Sequence, residues 1–314
     1  DALRVGSFER TEERAICERA ARCLSWAGNL GEAGRQLERA ANLTGDAFDR
    51  ASLLASAAHQ HAIAYDAVGM QRAATGAYAA LGKTYPATKG QQTWGVVRVM
   101  FALLFAPLAG IVARDDAKKA AERKVWHSLS MSMQIGSYVT TDMLLGALAT
   151  FASIYQGLRL GTSIERVRGL WMESVVLVTA KLVGAAKNRL RKMQAVANEL
   201  DRTALGTACF GNTISQTKLG EFEAAEEEAE RGLAYAPWMD AFEYVGMTTR
   251  VGLVLAMTGH VERGLVWTRR GLARVRANVK NDLLETVRDT VVAKLAILGR
   301  TNDGETRFTK LLSE

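Results

Sequence analysis

The chain has 314 residues, of which 48% are hydrophobic and 23% are charged, and it carries a formal net charge of +7. This composition predicts a soluble protein with a large core, and the length exceeds one compact domain unless the architecture is elongated. The three cysteines, Cys17, Cys23 and Cys209, exclude a disulfide framework and a CxxC zinc or redox site. We expect all three to be small core residues in a reducing compartment, the cytoplasm.

Helix-forming residues dominate the sequence, and its three prolines, Pro86, Pro107 and Pro237, leave long stretches free to be helical. Runs of alternating β-branched residues are nearly absent, so we expect an all-α fold without sheet. The chain opens without a Met and without a secretory signal pattern. We therefore expect a fragment of a longer intracellular protein.

A short phrase recurs four times: a small residue, a hydrophobic residue two positions on, and Ala or Gly three positions further. The copies are Gly28, Leu30, Ala33; Val68, Met70, Ala73; Gly220, Phe222, Ala225; and Gly259, Val261, Gly264. The first two copies are 40 residues apart and the last two 39. A fixed period in this range predicts a solenoid of helical hairpins, in which each hairpin packs against its neighbours.

The sequence of the N-terminal third predicts two helical hairpins, with helices over 8–27, 28–43, 47–66 and 69–81. The break at Thr44 to Asp46 predicts an N-cap, and Gly82 predicts a left-handed helix end. Residues 77–84, AYAALGKT, match the loose phosphate-loop pattern. A phosphate loop needs a strand before the glycine and a helix after the lysine, and the order here is reversed. We therefore interpret these residues as a helix end.

The segment from Trp94 to Ala113, WGVVRVMFALLFAPLAGIVA, is nearly uncharged and long enough to span a bilayer. Arg98, Pro107 and two glycines lie within it, and no second segment of similar hydrophobicity occurs. We weigh membrane contact against a buried helix at the junction between two halves of the solenoid. The interior charge and the proline favour the buried helix.

Helical periodicity continues over 117–137, 141–160, 163–183, 185–201 and 203–219. Thr162 and Glu165 have the spacing of a capping box and predict a helix start. Residues 220–237, GEFEAAEEEAERGLAYAP, place apolar residues on one stripe and end at Pro237.

These residues carry a family resemblance. Gly220, Phe222, Ala225, Leu233 and Pro237 resemble the second helix of a tetratricopeptide repeat (TPR). A further set resembles most of another repeat: Gly252, Leu255, Gly259, Gly264, Gly271 and Leu272. The resemblance implies a TPR-like α-solenoid, a right-handed superhelix of antiparallel helical hairpins.

The chain departs from that family at Asn212, Thr213 and Gln216, and its spacing is closer to 39 residues than to the usual repeat of about 34. Such longer repeats resemble the sensor or scaffold segments of large bacterial signalling proteins, for example nucleotide-cyclase chains or transcription activators with an ATPase module. The expected organisation is N-terminal hairpins over 1–85, apolar connecting helices over 86–138 and C-terminal hairpins over 139–314, in one continuous solenoid.

Catalytic residue types form no recognisable site. His59 and His61 are two positions apart and point to different sides of a helix, so they cannot share a metal ion. His127 and His260 are isolated, and we expect surface or hairpin-loop positions for them. The acidic run from Glu221 to Glu230 is explained by a solvated helix face. We expect no enzyme activity, no metal and no cofactor.

The positive charge raises nucleic acid as a partner. Three basic clusters occur: Lys118, Lys119, Arg123, Lys124; Lys187, Arg189, Arg191, Lys192; and Arg269, Arg270, Arg274, Arg276. Few aromatic residues interleave with them to stack bases, which favours solvated helix faces. We expect instead a protein or peptide partner, acidic in character, for a regulatory scaffold with protein-interaction and signalling roles.

In tetratricopeptide-like hairpins the first helix lines the concave groove. Its outward positions map onto Glu18, Arg22, Trp26, Tyr65, Asp66, Phe210, Ile214, Thr249 and Leu253. We predict that a partner binds there, with Arg22, Trp26, Tyr65 and Phe210 as the principal anchors, although packing against the next hairpin is the alternative.

A second hypothesis is an effector sensor that encloses an apolar small molecule or peptide between residues 130 and 183. The candidate cavity residues are Met131, Met133, Met143, Phe151, Tyr155, Trp171 and Met172, since Met and aromatic side chains adapt to apolar ligands. Ordinary core packing is the alternative.

Overall fold

The computed structural model describes residues 9–105 and 117–278. Within these ranges the fold is all-α, with thirteen α-helices and no strand. The chain divides into two compact units, Asp1–Gly161 and Thr162–Glu314. The handedness of the predicted superhelix and the predicted three-part organisation stay predictions.

The described part of the N-terminal unit contains seven helices. They are α1 (Arg10–Trp26), α2 (Leu30–Leu43), α3 (Ala47–Ile63), α4 (Ala67–Ala80), α5 (Lys89–Phe105), α6 (Ala117–Thr140) and α7 (Met143–Arg159). Three pairs of consecutive helices, α1 with α2, α3 with α4 and α6 with α7, form hairpins. Helix α3 packs against α2 of the hairpin before it, and α6 packs mainly against α3. Helix α5 packs against α7.

The C-terminal unit repeats this arrangement with three further hairpins. Its helices are α8 (Ile164–Thr179), α9 (Val183–Asn198), α10 (Arg202–Leu219), α11 (Phe222–Leu233), a 3-10 turn (Ala236–Trp238), α12 (Ala241–Met257) and α13 (Val261–Asn278). The first helices α8, α10 and α12 pack side by side, and each also contacts its own second helix. Consecutive hairpins therefore stack as the predicted solenoid requires.

Short polar side chains cap the start of several helices. Asp46, Asp66, Asp142, Asp201 and Asp240 each accept a hydrogen bond from the backbone N–H three residues later. Such N-caps satisfy one of the four backbone donors that a helix start leaves unpaired. The predicted cap at Asp46 is confirmed.

Glycines end helices where the chain must turn with a positive φ. Gly28, Gly82, Gly220 and Gly259 have φ values of 78°, 67°, 79° and 97°. An L-residue with a Cβ would be strained there. Because α4 ends at Ala80 and Gly82 follows after the C-cap Leu81, the interpretation of residues 77–84 as a helix end is confirmed.

Opposite charges join the second helices of the C-terminal unit. Acidic α11 bonds to basic α9 through Lys187 and Glu221 at 2.5 Å, and to basic α13 through Arg270 and Glu230 at 2.9 Å. Glu226 accepts a hydrogen bond from the indole of Trp267 at 3.2 Å and pairs with Arg263. The acidic run thus contacts the neighbouring hairpins in addition to facing solvent.

Three local predictions were wrong. The N-cap of α8 is Ser163, whose hydroxyl accepts from the Arg166 amide, one residue after the predicted start at Thr162. Cys23 is exposed, because helix α1 turns Cys17 and Ala21 toward the core instead. His127 is buried within α6, whereas His260 is exposed as predicted.

No described helix is long and apolar enough to cross a membrane. Of the segment from Trp94 to Ala113, the structure describes residues up to Phe105, and the remainder lies outside the described residues. The prediction of a buried helix is wrong for the described part. Only one face of α5 packs against α7, and the opposite face is exposed.

Candidate interaction surfaces

Helix α5 has a well-defined start. The Thr88 hydroxyl accepts a hydrogen bond from the Gln91 amide, and the Gln91 side chain accepts one from the Thr88 amide, which together form a capping box. Lys89 and Gln92 then donate to the carboxylate of Asp142 at 2.5 and 3.3 Å. Since Asp142 also caps α7, the N-termini of α5 and α7 are tied together.

The two helices remain close beyond this polar contact. A Cβ at Gly95 would lie 2.9 Å from the Cδ1 atom of Leu148 in α7, so the two helices approach closely at this glycine. The hydrogen bond from Lys89 is the main cause of a lowered pKa of the Asp142 carboxyl, which therefore stays ionised. Helix α5 is thus fixed along one face.

The opposite face of α5 exposes six large hydrophobic side chains at helical spacing. They are Trp94, Val97, Met100, Phe101, Leu104 and Phe105. Trp94 is 68% exposed, Phe101 56% and Leu104 67%, and the rings of Phe101 and Phe105 stack with centroids 6.0 Å apart. Isolated exposed hydrophobic residues are ordinary, but a contiguous apolar face of this kind marks an interaction site. We call these six residues the α5 face.

A buried ionic cluster joins the three first helices of the C-terminal unit. Arg168 of α8 donates to Asp240 at 2.9 Å and to Glu243 of α12 at 3.0 Å. The hydroxyl of Thr207, in α10, donates to the other carboxylate oxygen of Glu243 at 2.9 Å. Because Asp240 also caps α12, the cluster fixes the start of α12 against α8 and α10.

Burial governs the protonation of this cluster. Removal from water, together with the charge of Asp240, raises the pKa of the Glu243 carboxyl to about 7, although Arg168 opposes the rise. Burial also disfavours the charged form of Arg168, but the two carboxylates outweigh it and raise the pKa of the guanidinium. Arg168 is therefore always charged, and Glu243 changes its charge near neutral pH.

Next to the ionic cluster, the first helices pack through an aromatic row. The ring centroids of Trp171 and Phe210 are 5.2 Å apart, and those of Phe210 and Phe242 are 6.2 Å apart. Phe210 is only 3% exposed, and every residue of α10 from 206 to 215 is buried. This part of α10 is packed into the core of the C-terminal unit.

The predicted groove residues are distributed as follows. The structure buries Phe210 and Ile214 in the core, which is the arrangement that the packing alternative describes. Asp66 caps α4, and Tyr65 forms the preceding turn with a φ of 59°. The side chain of Trp26 lies outside the described residues. A partner role for these five residues stays a prediction.

The other predicted groove residues lie at or near the surface, in helices α1 and α12. Arg22 of α1 is exposed, and Glu18 is half-buried and bonds Arg14 at 2.7 Å. In α12, Thr249 and Leu253 are half-buried and flank the exposed Arg250. Residues 249, 250 and 253 are neighbours on the surface of α12, because their spacing follows helical turns of three and four residues. We call these three residues the α12 face.

The predicted cavity residues fall into both compact units. Met131 and Met133 of α6 are buried, Phe151 and Tyr155 of α7 are half-buried, and Met143 is 88% exposed at the start of α7. Trp171 and Met172 are buried in α8 of the other unit. The effector-sensor hypothesis stays a prediction.

The buried histidine of α3 has two carboxylates near it. The Nδ1 atom of His61 lies 3.0 Å from Asp66 and its Nε2 atom 3.7 Å from Glu38. Burial lowers the pKa of His61 despite these carboxylates, so the ring is neutral at neutral pH. Among residues 9–105 and 117–278, no group of three or more His, Cys, Asp or Glu side chains could hold a metal ion.

Sequence reasoning missed both the α5 face and the ionic cluster. The hydrophobicity of residues 94–105 was visible, but its exposure depends on which face α7 covers. Arg168 and Glu243 are 75 residues apart in sequence, and no local pattern connects them. Comparison with known proteins adds no assignment, since no protein-family model matches the chain and no curated protein matches it.

Proposed function

We propose that the chain is a non-catalytic interaction scaffold, the helical-repeat part of a larger signalling or transcription-regulating protein. The stacking of three hairpins in each unit supports this proposal, because such stacks present extended surfaces on rigid helices. The α12 face is the surface that we assign to a protein partner.

The observation that carries the proposal is the way α12 is held. The ionic cluster fixes its start, and its backbone approaches α13 so closely that a Cβ at Gly264 would lie 2.6 Å from the carbonyl oxygen of Gly252. A helix held on two sides loses little conformational entropy when a partner binds to it. The α12 face is therefore pre-organised.

The side chains of the α12 face define the chemistry of the partner. Leu253 and the methyl group of Thr249 supply a half-buried apolar strip, and Arg250 supplies an exposed guanidinium next to it. Guanidinium groups bind carboxylates through paired hydrogen bonds. The partner that fits is a protein segment presenting an apolar side chain next to a carboxylate, in agreement with an acidic partner for a chain of charge +7.

Photo-cross-linking in the intact parent protein tests this function. A benzophenone side chain placed at position 250 is expected to form a discrete protein adduct in cells. The matched control places the same group at Arg191, an exposed arginine of α9. Absence of an adduct at position 250, or equal adducts at both positions, would contradict the proposal.

A further inference from the structure

We propose that the α5 face binds the surface of an anionic lipid membrane, with α5 lying in the plane of the interface. This inference goes beyond the proposed function and does not depend on it, because it concerns another helix and the N-terminal unit. It rests on three observations: the exposed apolar face, the charge around it and the way α5 is attached.

The apolar face has the composition of an interfacial helix. It exposes Trp94 near the start of the helix, followed by Val97, Met100, Phe101, Leu104 and Phe105 along the same side. Helices that lie in a membrane interface bury such a face of Trp, Phe and Leu at the boundary between headgroups and acyl chains. Burial of several such side chains together favours binding, because each removes apolar surface from water.

The charge of this region suits an anionic lipid surface. No Asp or Glu occurs between Asp66 and Asp115, although the chain has 33 acidic residues. Helices α5 and α7 contain no acidic residue, and the carboxylate of Asp142, which precedes α7, is bonded to Lys89. Arg98 of α5 and Lys83 of the preceding loop are exposed and can attract negatively charged headgroups.

A second copy of the chain fits this surface less well. Two α5 faces placed against each other would bring together two acid-free regions that carry the same positive charges. Like charges in an apolar interface repel, whereas lipid headgroups supply the missing negative charge. Charge complementarity thus favours a membrane containing phosphatidylserine or a similar lipid.

The attachment of α5 leaves its apolar face available. The capping box at Thr88, the bonds to Asp142 and the contact of Gly95 with Leu148 hold the packed face of α5 against α7. The α5 face lies on the other side, so it can enter the lipid interface without unfolding the hairpins.

Vesicle flotation of the intact chain tests the inference. We expect binding to vesicles of equal parts phosphatidylcholine and phosphatidylserine, and at least about tenfold weaker binding to phosphatidylcholine alone. Phe101→Glu and Leu104→Glu should each weaken binding about tenfold or more, since a carboxylate would then face lipid. The matched control is Val68→Glu, which changes another exposed apolar residue, in α4, and should leave binding unchanged.

Circular dichroism of each variant verifies that the helices are retained, as expected for substitutions at exposed positions. No binding to either vesicle would overturn the inference, and so would an equal loss in all three variants. If light scattering shows a dimer that Leu104→Glu dissociates while vesicles remain unbound, a second copy occupies the face and the inference is overturned. A protein cross-linked at position 104 in place of lipid would also overturn it.

Discussion

Replacement of Arg168 by Met should destabilise the C-terminal unit through the ionic cluster. Met keeps most of the aliphatic volume of Arg but removes the guanidinium that lies within 3.0 Å of both Asp240 and Glu243. Removing one partner of a buried ion pair costs about 3–5 kcal/mol, because the remaining charge loses its compensation. The total stability of a domain is about 5–15 kcal/mol, so the effect should be large.

The pH dependence of the stability loss shows whether the uncompensated charge of Glu243 causes it. The pKa of Glu243 is about 7 in the folded state and near 4.5 when unfolded, so the folded state holds this proton more tightly. The contribution of Glu243 to stability is therefore fully present below pH 4.5 and falls as the pH rises to about 7. In Arg168→Met, the carboxylate of Glu243 has lost its counter-charge. Lowering the pH from about 8 to about 6, across this pKa, should therefore recover more stability in the variant than in the unchanged protein.

Urea unfolding combined with hydrogen exchange of the α12 amides measures both effects, since exchange reports the opening of this unit separately. The double variant Arg168→Met, Glu243→Gln should recover at least half of the loss, because the buried charge is then absent. Arg231→Met serves as the control, as its pair with Glu228 is exposed and worth less than about 0.5 kcal/mol. A loss under about 1 kcal/mol, or no recovery in the double variant, would refute the reasoning.

Two further predictions follow from packing. Gly264→Ala should destabilise the α12–α13 hairpin by about 2 kcal/mol or more in urea unfolding, because the added Cβ meets backbone atoms. Gly184→Ala, where a Cβ meets nothing within 4 Å, should instead stabilise α9 by up to about 1 kcal/mol, and a comparable loss at both sites would contradict this. In the native chain, a thiol reagent should modify only Cys23 rapidly. Cys17 and Cys209 are buried, and burial raises the pKa of both thiols, so fast modification of more than one thiol would contradict the described burial.

The elements themselves were predictable from sequence because their signals are local. Asp46 and Gly82 mark a helix start and a helix end through side-chain and backbone preferences that require no tertiary information. The recurring phrase also has a packing cause: Gly264, in its last copy, lies where the backbones of α12 and α13 approach each other closely. Hairpin stacking could be inferred from this spacing, and the structure supports a helical repeat although no comparison confirms the tetratricopeptide resemblance.

The surfaces were not predictable, because exposure depends on which neighbour covers each face. Phe210 has the outward register of a groove residue, yet Trp171 and Phe242 enclose its ring. Trp94 and Phe101 belong to a segment whose hydrophobicity suggested a core helix, but α7 covers only the opposite side. The hydrophobic periodicity of a helix identifies its apolar face but not the helix or partner that covers this face.

Photo-cross-linking at two positions of the intact protein on native membranes tests most directly whether the chain works through binding surfaces. Benzophenone groups at positions 250 and 104 sample the α12 face and the α5 face, and position 191 is the control. The account predicts a protein adduct at 250, a lipid adduct at 104 and neither at 191. Equal yields at all three positions, or none at 250 and 104, would contradict it.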